Sequence, residues 1–128
     1  MIENKIIKIA LKTKYYGLKD KFTFKTHLKN SKCGDKISIE ILTNKNIITE
    51  LRYETEACIF CQASASALAD IAKNKSLSQI KDKLIKYLNI KNKMPKVYKN
   101  FDLLLSKKYK NRKECTLLPL RAFYKAVK

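Results

Sequence analysis

The stretch Ala57–Ala72, ACIFCQASASALADIA, constrains this chain more than any other. It begins with two thiols and continues at helical spacing through Ile59, Phe60, Ala63, Ala67 and Ile71, with Leu68 and Ala72 less regular. Ala63 to Ala67 alternate Ala and Ser, so one wall of the helix is thin and another backbone can approach it closely. Cys58 falls just before this helix and Cys61 on its first turn, where unpaired N–H groups and partial positive charge shift a thiol toward thiolate. Thiolate is the form that binds soft metals and attacks sulfur.

Upstream, three alternating runs read as strands. Phe22, Phe24, Thr26 and Leu28 alternate with Thr23, Lys25, His27 and Lys29, which puts the chain's one histidine on a polar face. Ile37, Ile39 and Ile41 alternate with Lys36, Ser38, Glu40 and Leu42, a half-buried pattern. Ile47 to Glu54 follows the turn Asn44-Lys45-Asn46, with Ile47, Thr49, Leu51 and Tyr53 expected on one side. Short connections predict an antiparallel meander with one buried face. Cys33 then precedes the middle strand, and Cys58 follows the last.

Helices account for the rest. Residues 2–15 carry Ile2, Ile6, Ile7, Ile9 and Ala10 at roughly helical spacing, ending at Tyr16-Gly17-Leu18. Ser76 reads as the cap of a helix through Leu77, Ile80, Leu84, Ile85 and Leu88. Asn89 to Pro95 reads as a loop, and Phe101 to Leu105 as the apolar part of a further helix. A final helix is expected after Cys115, through Leu117, Leu118, Ala122, Phe123 and Val127, with Pro119 tolerated only in its first turn. The expectation is one α+β domain over residues 1–128, a three-stranded antiparallel sheet with helices packed on it.

Composition excludes several classes. No run approaches the 18 or more apolar residues of a membrane span, and Lys5, Lys8 and Lys12 interrupt the N-terminal apolar positions, so a secretory signal is a poor reading. The cytoplasm is the expected compartment, and there four cysteines are kept reduced for metal or sulfur chemistry rather than paired. The net charge of +18 comes from 26 Lys and only 3 Arg spread along the chain. Specific nucleic-acid readers lean on Arg, and no RNP or helix-turn-helix pattern is present, so nucleic acid is not the expected partner. Such charge would still speed encounter with acidic protein surfaces. A cysteine hydrolase would want a histidine, and His27 is poorly placed for one. The spacing C-x-x-C at Cys58 and Cys61 also occurs in thioredoxin-like proteins, but those want a βαβ setting. A basic, zinc-stabilised module binding nucleic acid or an acidic protein is the reading from another class.

Taken together, Cys33-Gly34-Asp35, a strand pair, Cys58 and the segment Ala63-Ser64-Ala65-Ser66 resemble the NifU/IscU/SufU type of iron–sulfur cluster assembly protein. Cys58 follows Cys33 by 25 positions, as in that family, and Arg112-Lys113-Glu114-Cys115-Thr116-Leu117 resembles the element that carries its third cysteine. The similarity runs over roughly residues 25–128. It implies a SufE/NifU-like fold in which Cys33, Asp35, Cys58 and Cys115 surround a zinc ion or a nascent [2Fe–2S] cluster, with Asp35 the labile ligand. It further implies a cysteine desulfurase as sulfur donor, Cys115 or Cys58 as persulfide acceptor, and apo iron–sulfur proteins or cluster carriers as recipients. Either a scaffold or a zinc-dependent sulfurtransferase fits the resemblance.

Three departures place the chain nearest the SufU-like branch. Glu114 stands where the IscU branch has a histidine, the Leu-Pro-Pro-Val-Lys element is missing between Ser106 and Lys113, and 57 positions separate Cys58 from Cys115. Arg112 matches an arginine of that branch and would stabilise sulfur-bearing or anionic states. Thr55 and Ala57 replace glycines usual in the family. Cys61 replaces a small residue, and is open to three roles: a substitute ligand for Asp35, a persulfide shuttle, or a buried thiol.

Overall fold

The computed structural model describes residues 3–89 and 93–127. Strands β1 (Phe24–Lys29), β2 (Lys36–Asn44) and β3 (Ile47–Glu56) pair antiparallel in the order β1-β2-β3, the expected meander. Ile37, Ile39 and Ile41 of β2 are buried, each contributing about 2 kcal/mol of apolar burial. The hairpin loop between β2 and β3 has no glycine. Lys45 and Asn46 both take positive φ, 51° and 68°, as a tight two-residue hairpin of the primed kind requires.

The face of β3 differs from expectation at its start. The register shifts between Leu42 and Thr43, so Leu42 opposes Glu50 while Thr43 opposes Ile48. Thr49 is the extra residue of a bulge, which reverses side-chain parity before it. Ile48 is therefore buried and Ile47 exposed, while Leu51 and Tyr53 face the core as their alternation indicates. Glu40, on the polar side of β2, is also buried. The chain from Leu18 to Lys21 crosses over it, and its carboxylate accepts from the backbone N–H groups of Lys19 (2.8 Å) and Asp20 (3.1 Å).

Helix α1 (Asn4–Leu11) stops short of the expected residue 15, and Ile2 lies outside the described residues. Its continuation is captured by β3 instead. Gly17 N–H donates to Tyr53 O at 2.8 Å, and the Arg52 guanidinium donates to the carbonyls of Tyr16 (2.7 Å) and Gly17 (2.9 Å). A charged fork on free carbonyls outweighs the small propensity of one more helical turn.

Helix α2 (Ile59–Ala72) is the central element, packed against α1, β3 and a terminal helix. Ten of its residues are buried, including every residue from Ala63 to Ala69. Helix α3 (Leu77–Leu88) is capped as expected, Ser76 Oγ accepting from Gln79 N–H. Part of the expected loop Asn89 to Pro95 lies outside the described residues. Helix α4 (Lys99–Leu104) leads through a 3₁₀ turn (Lys107–Arg112) into α5 (Lys113–Val127). That last helix begins before Cys115, not after it, so Pro119 lies in the second turn. Proline has no N–H to offer the Cys115 carbonyl four residues back. The neighbouring carbonyl, of Thr116, is instead met by Ser64 Oγ from α2 at 2.6 Å, which ties the proline region to the thin wall. Among the described residues no helix is long and apolar enough to cross a membrane.

Candidate metal centre

Three chain reversals deliver the sulfur atoms to one end of the sheet. The first is the turn after β1, where Gly34 N–H donates to Asn30 O and Asn30 N–H to Asp35 O, both at 2.8 Å. Asn30 Oδ1 also accepts from Lys32 N–H at 3.0 Å, an Asx turn. Gly34 sits at φ +77°, a conformation that L side chains rarely adopt. The turn leaves Cys33 exposed and sends Asp35 inward, where it is 6% exposed.

The second reversal is the start of α2. Cys58 is its N-cap residue with extended backbone (φ −70°, ψ 169°), and its N–H donates to Asp35 Oδ1 at 3.3 Å. The third is the first turn of α5, which holds Cys115 at 4% exposure. Cys33 and Cys115 approach to 3.9 Å between sulfur atoms. The ligand atoms of Cys33, Asp35 and Cys115 all lie within 4.8 Å of one another. Cys58 falls outside that mutual set, yet it stands against Cys115. Burial, with Asp35 and Cys58 alongside, pushes the Cys115 thiol well above its usual range.

These dimensions suit a metal. Two thiolates bound at about 2.3 Å to one tetrahedral ion lie roughly 3.8 Å apart, close to the separation found. Asp35 Oδ2 is buried without a hydrogen-bond partner among the described residues. An orphaned carboxylate oxygen beside thiols is costly in a protein interior, and a cation satisfies it.

The remaining candidates fall into place around this group. Cys61, on the first turn of α2, is fully buried. Burial raises its thiol strongly, and Asp35, Cys58 and Cys33 add to the effect. Arg112 is exposed at the end of the 3₁₀ turn, three residues before Cys115. Glu114, which precedes Cys115, pairs with Arg121 at 2.9 Å instead of joining the thiols. His27 is exposed on the outer face of the sheet, with Nδ1 2.8 Å from Ser38 Oγ. The segment Asn30-Ser31-Lys32 reads as a turn in the sequence and is one here, with the Asn30 side chain shaping the approach to Cys33.

Exposure orders the thiols as Cys33, Cys58, Cys115 and Cys61. Iodoacetamide is therefore expected to modify Cys33 in the folded protein at least about tenfold faster than Cys61, because Cys61 is both inaccessible and held protonated. Peptide mass spectrometry over a time course measures this. Equal rates would contradict the burial of Cys61.

Comparison with known proteins gives a consistent result. The family model described as NifU-like N terminal domain matches residues 1–127. An uncharacterized protein of Borreliella burgdorferi is 33% identical over 96 residues, a match spanning 72% of this chain and 66% of that relative's length. Among solved structures, a protein of Fervidobacterium islandicum described as an iron–sulfur cluster assembly scaffold for the SUF system superposes with a TM-score of 0.86 at 20% identity. That match covers 99% of this chain and 96% of the other. A nitrogen-fixing NifU-like N-terminal protein of Brucella abortus superposes with a TM-score of 0.75 at 20% identity, covering 98% and 90%.

Proposed function

The chain belongs to the NifU-like N-terminal domain family, and from that premise we propose that it is an iron–sulfur cluster assembly scaffold holding its cargo on Cys33, Asp35, Cys58 and Cys115. The observation that carries the reading is Asp35, whose carboxylate has one oxygen without a hydrogen-bond partner among the described residues and stands within 4.8 Å of two thiols that are themselves 3.9 Å apart. Three soft ligands and one hard one make a site that binds a cluster or zinc and releases it through its weakest member.

In this reading a cysteine desulfurase supplies sulfur as persulfide. An incoming persulfide meets the exposed Cys33 first. Cys58, half-buried as the N-cap residue of α2, lies behind it, and the buried Cys115 completes the set. Attack by a thiolate on the outer sulfur of the donor forms the new S–S bond and releases the donor thiolate. Arg112, at the rim, would favour such anionic states. Apo iron–sulfur proteins or cluster carriers would be the recipients, and the cytoplasm, which keeps thiols reduced, the compartment.

Anaerobic addition of iron and sulfide to the metal-free protein tests the proposal. A visible cluster chromophore bound to the protein supports it. Tight zinc, no chromophore and faster desulfurase turnover on mixing would replace the scaffold by a zinc-dependent sulfurtransferase. Asp35→Cys supplies a soft fourth ligand, so a chelator should extract the cargo at least about tenfold more slowly than from the native chain. Unchanged extraction would remove Asp35 from its role as the releasing ligand.

A further inference from the structure

Beside the thiols, a groove of about 330 Å³ runs between the end of β1 and helix α5. Leu28 and Leu118 give it an apolar floor, and Lys29, Lys32 and Arg121 stand around it with Glu114. Glu114 is already satisfied by Arg121, whose Nη1 lies 2.9 and 3.1 Å from its two carboxylate oxygens. Lys29 and Lys32 are exposed, which leaves the groove with a surplus of positive charge.

Its position ties it to the site. One wall is the turn held by Asn30, the same turn that carries Cys33 and Asp35. The other is α5, where Leu118 follows Cys115 by three residues, about one helical turn. Anything seated in the groove therefore lies next to the exposed Cys33.

We propose that this groove docks an extended acidic segment of the protein that exchanges sulfur or cluster with the thiols, its carboxylates on Lys29 and Lys32 and an apolar side chain on Leu28 and Leu118. The proposal rests on the scaffold reading for the identity of the partner, though the groove and its charge do not. Charge complementarity selects the acidic occupant and also speeds its arrival. The apolar floor selects a peptide over a nucleic acid, since no aromatic side chain lines the groove to stack a base.

The probe is a dye-labelled peptide alternating Glu and Leu, followed by fluorescence anisotropy at low and physiological salt. The native chain should bind it, and K29E/K32E should weaken binding at least about tenfold, since reversing two rim charges turns attraction into repulsion. K83E/K86E makes the same charge change on exposed positions of α3 and should stay within about twofold. The peptide should also slow alkylation of Cys33 in the native chain. Equal weakening by both variants, no binding at all, or displacement by an oligothymidylate of equal charge at the same concentration would each overturn the docking proposal. Anaerobic reconstitution of K29E/K32E keeps the two readings apart. A normal chromophore with no peptide preference sinks the groove alone, whereas a native chain without a chromophore sinks the scaffold and leaves the peptide measurement intact.

Discussion

Cys58→Ser is expected to lose the reconstituted cluster chromophore by at least about tenfold while the protein stays folded. A serine hydroxyl is a hard donor that does not ionise near neutral pH, so iron and sulfide lose one soft ligand outright. Substitutions at ligand cysteines often leave open whether the site or the fold has failed. Here they separate, because Cys58 is the N-cap of α2 and serine is among the preferred residues at that position. The thermal midpoint should therefore be equal to or above that of the native chain, with the visible spectrum gone. Cys61→Ser is the mirror image. It places a hydroxyl in a fully buried position at a cost of about 1–3 kcal/mol if unpartnered, and should retain the chromophore. A chromophore that survives Cys58→Ser but not Cys61→Ser would show that Cys61, not Cys58, completes the ligand set.

Ser64→Leu should be the most damaging change away from the thiols. Ser64 is fully buried on the thin wall of α2, and its Oγ donates to Thr116 O of α5 at 2.6 Å. Leucine removes that bond beside Pro119, where α5 already lacks one backbone hydrogen bond, and it forces three extra carbon atoms between two close-packed helices. Overpacking and a lost buried bond together cost about 3 kcal/mol, read as a lower urea midpoint. Because Thr116 follows Cys115 directly, pushing α5 away from α2 also carries the third thiol from its partners. Cluster retention should fall with stability. Ser64→Ala removes only the bond and should cost about 1–2 kcal/mol with the chromophore kept. If Ser64→Leu matched Ser64→Ala in both measurements, the closeness of the two helices would not be what sets Cys115.

The parts of this architecture written in local periodicity were readable in advance. Ile37, Ile39 and Ile41 alternate without interruption and are buried as that pattern requires. The shift to helical spacing after Cys58 marks the start of α2 to the residue. Features that depend on a distant partner were not readable. Thr49 looks like any strand residue, and only pairing against Leu42 and Thr43 makes it a bulge and turns Ile48 inward. Glu40 has the alternation of a solvated side chain and is buried because two backbone N–H groups from the preceding connection fold onto it. Helix α1 ends early because Arg52, far along the chain, binds the carbonyls that would have continued it. The meeting of Cys33 with Cys115 belongs to this second kind. No period spans that interval, and its expectation came from motif resemblance alone.

The separation of Cys33 and Cys115 by 82 positions has a mechanical consequence. An ion gripped by both closes a loop through most of the polypeptide, so loading acts as a reversible cross-link. By analogy with a covalent bridge over such a loop, the restriction of the unfolded chain amounts to about 4.5 kcal/mol. Occupancy and rigidity then rise and fall together. On the scaffold reading, a chain that has delivered its contents should be easier to unfold and to proteolyse than one still filled, so spent and laden molecules would differ in lifetime without any separate sensor.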